Sequence, residues 1–323
     1  MSLFSKFSAI PLVSSFLFIV GTTSLIWMGW NLPKESIEFS HPYFLFPFKS
    51  EMSKIWLFIS SLLIVWITLV VNLKLNQKHK FSEKPAFIAG YFYYLMLLAY
   101  PFTLFNIPTI ISSLIILIAI RFLFEIYNQS SVKGLIFSAS ILVSLASLFF
   151  FPALCFLLIV FLTISIFRSF ELKNFILAIV AALIPYIYLF GLAYLFEVSI
   201  QSPMSHLTEL NIIDWKRNLG NHSLELFQTF GIAAMILLAY AKSFSLKQKL
   251  VVRQRHQLTI LFYGNLLAII FLFVLGIDYG LCFLIPLSGL FVYLFYQSLD
   301  KKWIFEIFFL LLFALSIFNH FFL

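Results

Sequence analysis

The sequence predicts an all-α, polytopic helical membrane protein of about eleven transmembrane helices, N-in/C-out, built as a single integral membrane domain over 1–323. Three observations carry that fold class. Of 323 residues, 62% are hydrophobic and only 11% charged, whereas a soluble domain has about 45–50% apolar and about 25% charged residues. The apolar residues fall in runs of about 20, the length at which a helix rising about 1.5 Å per residue crosses about 30 Å of hydrocarbon. The basic residues alternate between successive connections, as the positive-inside rule requires. Too few polar residues remain to coat a water-soluble surface. That excludes a cytosolic enzyme, a nucleic-acid module and a secreted disulfide scaffold.

Taken in order, the runs begin with 9–30, which follows Lys6 and shows no small-residue cleavage signal before Asn31. It therefore reads as a retained span and not as a removed signal peptide. Next come 55–73, 85–102, 108–127, 134–150 and 152–168. Phe151-Pro152 divides the last two, because proline removes a donor and restricts the residue before it. One long kinked helix is the competing reading there. Run 174–196 carries Pro185, expected to kink that helix without ending it. The set closes with 226–243, 258–277, 281–298 and 303–323. Helices are required throughout, since no water in the bilayer core can satisfy free backbone groups.

Charge provides an independent check on this threading. Numbered from the amino terminus, the connections on one side hold sixteen basic and five acidic residues, a net of +11. The other side holds five basic and eight acidic residues, a net of −3, and the two sum to the chain's +8. The first side is then cytoplasmic. Merging the fifth and sixth runs would put Lys242–Arg255 and Lys301/Lys302 on the wrong face.

Three connections are long or charged enough to act. The outward loop 31–54 contains Glu35, Glu38, His41 and Glu51 among aromatics and prolines, and its apolar middle suggests a piece lying in the headgroup zone. The outward loop 199–225 holds His206, Glu209, Asp214, Lys216, Arg217 and His222, with Leu207, Leu210 and Trp215 suited to a short surface helix. The basic cytoplasmic loop 242–257 is expected to meet anionic lipid headgroups and not nucleic acid. For the two outward loops, a solvated connector is the bland alternative.

Ionisable groups within the runs are scarce, which weakens an ion-driven pump. Arg121 and Glu125 are four residues apart and able to pair, near a helix end where arginine snorkels to the headgroups. Glu306 lies near the start of the last run, and Asn265 reads as helix-packing glue. Gly276-Ile-Asp-Tyr-Gly280 reads as a loop. Cys155 and Cys282 read as buried thiols. No P-loop, GxGxxG, HExxH or GxSxG pattern occurs, and no metal site is assigned.

The stretch Ala139–Phe190 contains Ser147–Leu154 (SLFFFPAL), Arg168-Ser-Phe170 and Pro185. It resembles an uncharacterised family of multi-pass inner-membrane proteins of Gram-negative bacteria. Members are often labelled beta-carotene monooxygenases, but a membrane iron oxygenase needs several histidines converging at one depth. Of the six here, His41, His79, His206, His222 and His256 fall in expected loops, and His320 lies at the chain's end.

A looser likeness is carried by the hairpin in Leu135–Leu157 and by the N-in first helix followed by a long acidic outward loop. In these features the chain looks like the polyprenyl-phosphate-dependent membrane glycosyltransferases. The resemblance implies a lipid-linked sugar substrate, Glu35 or Glu38 as the catalytic general base, an undetermined cofactor such as a divalent metal, and Lys216 and Arg217 as the phosphate-binding pair. Glu35-Ser-Ile-Glu38 departs from that family's more closely spaced acidic pair. Two other classes stay open: a scaffold or assembly partner for envelope machinery, and a small-molecule transporter.

Overall fold

The computed structural model describes residues 54–79, 92–93, 95–97, 99–100, 106–128, 131–167, 171–196, 223–247 and 250–322. Among these the architecture is all-helical, with no strand. In chain order the helices are α1 (Lys54–Lys78), α2 (Ile107–Glu125), α3 (Lys133–Phe149), α4 (Leu157–Phe167), α5 (Leu172–Leu195), α6 (Ser223–Lys247), α7 (Val252–Val274), α8 (Ile277–Gln297) and α9 (Lys302–Phe322). Four segments are long and apolar enough to cross a membrane: Ile107–Glu125, Leu172–Leu195, Val252–Val274 and Tyr279–Gln297. Shorter apolar helices cover Ile59–Leu75, Lys133–Phe149, Phe151–Phe167 and Gly231–Ser245. The expected run 9–30 lies outside the described residues, and 85–102 is described only in part.

Contacts between helix ends give the bundle its direction. The carboxyl ends of α1 and α2 meet where Lys78 donates to Glu125. The first turns of α7 join them, through Arg253 and Gln257 on His79. The carboxyl end of α4 arrives at the same place, with Phe167 against Tyr127 and His256. Ser144 donates to Ala182 O and Ser147 pairs with Tyr186, so α5 runs parallel to α3. At the far end, Phe150, Phe156, Phe271, Tyr279 and Phe283 form one ring cluster, including Phe150 stacked on Tyr279 at 5.5 Å. Each consecutive pair from α2 to α9 therefore reverses direction. One end is basic, the other aromatic.

Several of the hydroxyls that this apolar bundle carries are satisfied within their own helices. Thr68, Ser140, Thr163 and Ser316 each donate to the carbonyl four residues back, which removes the cost of a bare polar group in an apolar surrounding. Asn265 does the same to Leu261 O, and its amide also reaches Leu287 O at 3.1 Å, so it joins α7 to α8 as expected of packing glue.

The proline sites follow their expected chemistry. Phe150 is extended (φ −143°, ψ 99°), and a 3-10 turn over Phe151–Phe156 separates α3 from α4. Helix α5 continues through Pro185. Elsewhere the structure corrects the sequence reading. Residues 242–247 and 252–257 of the basic segment belong to α6 and α7 and not to a loop. Within Gly276–Gly280 only Gly276 serves the turn, at φ 110°; Gly280 is already helical and lies against the Leu272 backbone. Cys282 is buried, but Cys155 is exposed, because its short 3-10 turn presents one side outward.

Candidate functional site

Glu35, Glu38, Lys216 and Arg217 lie outside the described residues, as do nearly all of the segments 31–54 and 199–225. What is described at their margins is helical: Lys54 begins α1, and Ser223–Glu225 begin α6. The structure thus places Lys54, at the close of the first segment, and Ser223–Glu225, at the close of the second, and none of the four side chains.

The described residues instead bring together a polar cluster at the basic end. His79 follows the last residue of α1 and is buried, with 3% of its surface exposed. Its Nδ1 faces Gln257 Nε2 at 2.9 Å and Arg253 Nη2 at 3.1 Å. Both partners are donors, so Nδ1 is the acceptor and the imidazole is neutral with its proton on Nε2. Gln257 also donates to Phe124 O at 3.2 Å, which sets the orientation of its amide. The imidazole edge meets the Phe124 ring at 5.1 Å. One histidine therefore ties α1 to both α2 and α7.

The electrostatics agree with this protonation state. His79 lies just past α1, outside the membrane-spanning segments. Burial, then the Arg253 and Lys78 charges, hold its pKa down at about 4, against an ordinary 6.5, while Glu125 works the other way. Around it, Glu125 takes Lys78 as its near partner, with Arg121 Nε at 3.8 Å. The Arg121–Glu125 pair expected from spacing is present, but Lys78, 47 residues away in sequence, is the closer cation. Arg253 Nε and Gln257 Oε1 are buried without a hydrogen-bond partner among the described residues.

Sequence reasoning missed His79 and Gln257. His79 sits in a run of lysines and reads as a solvated loop, and the only legible hint was Arg253 and Gln257 sharing a helix face at four-residue spacing. Glu306, expected near the start of the last run, is buried and accepts a 2.8 Å bond from Tyr296 Oη. Lys302 sits over the same Tyr296 ring, 5.4 Å from its centre. Among the described residues, no three His, Cys, Asp or Glu side chains gather as a metal centre would need. The cluster's chemistry is that of a latch: a neutral acceptor clamped by two donors. No known protein family, curated protein or solved structure matches the chain.

Proposed function

We propose that this chain is an eleven-span protein of the inner (cytoplasmic) membrane, with its amino terminus inside, that acts on a polyprenyl-phosphate-linked sugar at the outward face. One observation supports that reading above the rest. Helix α1 starts, α5 finishes and α6 starts at the aromatic end, opposite Lys78, Arg121 and Arg253. The described helix ends that adjoin the outward loops 31–54 and 199–225 thus lie on one side of the bundle. That common side is what an active site drawing on both requires. Assigning the basic end to the cytoplasm follows the positive-inside rule and leaves the aromatic end outward.

In this reading Glu35 or Glu38 takes the proton from an acceptor hydroxyl as that oxygen attacks the sugar carbon, and the lipid phosphate leaves. Lys216 and Arg217 hold the phosphate, the arginine by paired hydrogen bonds. The test is complementation of a deletion strain with an envelope defect by Glu35→Gln and Glu38→Gln. Loss of rescue by one of them, at wild-type abundance in the membrane, is the expected result; full rescue by both removes the catalytic base. A reporter fused after Leu323 checks the threading separately. Activity of a cytosolic reporter there overturns the orientation.

A further inference from the structure

At the basic end, three helices bring cations to one corner of the bundle. Lys78 closes α1, Arg121 and Glu125 lie near the end of α2, and Arg253 stands in the first turn of α7. Lys78 and Arg121 share the Glu125 carboxylate, and the charges of Lys78, Arg121 and Arg253 all bear on His79. Among the described residues these are three cations around one carboxylate. The corner is open to its surroundings, since the Lys78 and Arg121 side chains are 47% and 46% exposed.

The way Arg253 is held sets it apart from its neighbours. An arginine drawn into a protein is ordinarily anchored by a carboxylate, which cancels its charge. Arg253 is anchored instead by a neutral acceptor, His79 Nδ1, at 3.1 Å from its Nη2. That acceptor stays neutral near neutral pH, because its pKa lies at about 4, and Gln257 fixes it in turn at 2.9 Å. The anchor is buried, with His79 3% exposed, whereas Arg253 itself is partly exposed. The guanidinium therefore keeps its full charge while its direction is set from the interior. Among the described residues its other donors, the buried Nε included, have no hydrogen-bond partner. A charged donor in that state favours a ligand that brings anionic oxygens. The start of α7 adds to the pull: Val251 gives it no side-chain cap, so its first amides carry partial positive charge toward the same end.

We propose that this corner binds a phosphate group, held by Arg253 and flanked by Arg121 and Lys78, whether a lipid headgroup or a soluble phosphoester carries it. A phosphate presents several oxygens to one guanidinium fork and spreads its charge over more than one cation. Its place at the end of α1, α2 and the start of α7 is the level at which headgroups meet a membrane protein. The corner lies on the opposite side of the bundle from the helix ends that adjoin the outward loops. Its failure therefore leaves the proposed enzymatic function standing.

The test has two arms, both on the full chain. In the first, native mass spectrometry reads the lipid retained after extraction from bilayers of equal phosphatidylglycerol and phosphatidylcholine. Phosphatidylglycerol is expected in about fivefold excess, the effect of one cation near a membrane surface, because phosphatidylcholine brings a cation of its own against Lys78 and Arg121. Arg253→Gln should erase that excess. Lys301→Gln, at the exposed turn between α8 and α9, should leave it. In the second arm, soluble glycerol phosphate is added to the detergent-purified chain. A thermal midpoint that rises in the parent and not in Arg253→Gln assigns the site to a soluble phosphoester; a headgroup site shows the first effect without the second. No Arg253-dependent effect in either arm overturns the proposal, the result expected were the chain's own carboxylates to fill the corner. An equal loss from Lys301→Gln also overturns it, since that assigns the excess to diffuse attraction. Should Arg253→Gln not fold, Arg121→Gln, which leaves the His79 bonds in place, should lower the same readouts; unchanged values there overturn the proposal as well.

Discussion

Helices α5 and α8 look alike as sequence and differ as structure. They have 24 and 21 residues, and each carries one internal proline. Yet 89% of the apolar window of α8 is buried, against 28% for α5. Every residue from Leu281 to Leu294 is buried in α8, while Leu183, Ile187, Tyr188 and Tyr194 of α5 face outward. Apolarity selects both for a membrane but does not rank them within it, because lipid tails are as apolar as leucine. What places α8 at the centre is close approach and hydrogen bonding. Asn72 and Asn265 donate to the consecutive carbonyls of Pro286 and Leu287, and Gly280 lets the Leu272 backbone come near.

Matched substitutions in the two helices break or sharpen this contrast. The largest difference is expected from Phe291→Ala, which empties a position 1% exposed and should cost about 3–5 kcal/mol. Phe190→Ala, at a position 56% exposed, should change stability by no more than about 0.5 kcal/mol. Unfolding of the purified protein in mild detergent measures both, and equal losses would sink the idea that α8 is the core. Next is Gly280→Ala, whose Cβ would run into the backbone at Leu272. It should destabilise by about 1–3 kcal/mol. Gly191→Ala in α5 meets nothing within 4 Å and should stabilise by about 0.5–1 kcal/mol through helix propensity.

A pH effect tests the latch that joins α1 to α2 and α7. The folded pKa of His79 is about 4, below the ordinary 6.5. Between those values the unfolded chain binds the extra proton, so stability rises with pH across that window. Thermal midpoints should fall as pH drops from about 6.5 towards about 4, and His79→Gln, which keeps an acceptor, should flatten the response. An unchanged slope in the variant would assign the acid sensitivity elsewhere. The smallest effect belongs to Ser144→Ala, which removes one bond from α3 to α5 and should cost about 0.6 kcal/mol, near the average for such bonds in lipid. A loss several times larger would mean that α5 is held far more firmly than its exposed face suggests.

Much of the helix layout was legible because length and apolarity are local properties. The described helices fall close to the expected runs, and the Phe151-Pro152 break stands where proline chemistry put it. The candidate site was not legible. His79 acquires its partners from residues 174 and 178 positions away, and no spacing along the chain encodes such a meeting. Lys78 on Glu125 is a milder case, since half of its environment, Arg121 four residues before Glu125, was visible. Gly280 was misread because a glycine in a turn and a glycine under a neighbouring backbone look the same in one dimension.

By itself the sequence determined that this protein is helical and membrane-suited, where its helices break, and on which ends its cations lie. Those features follow from backbone satisfaction in an apolar solvent and from charge avoiding it. Only the tertiary structure decided which apolar helix becomes the centre, which histidine is buried and which faces are left to lipid. Burial in a bilayer carries no hydrophobic preference of its own, so those choices rest on shape and hydrogen bonds between residues distant in the chain.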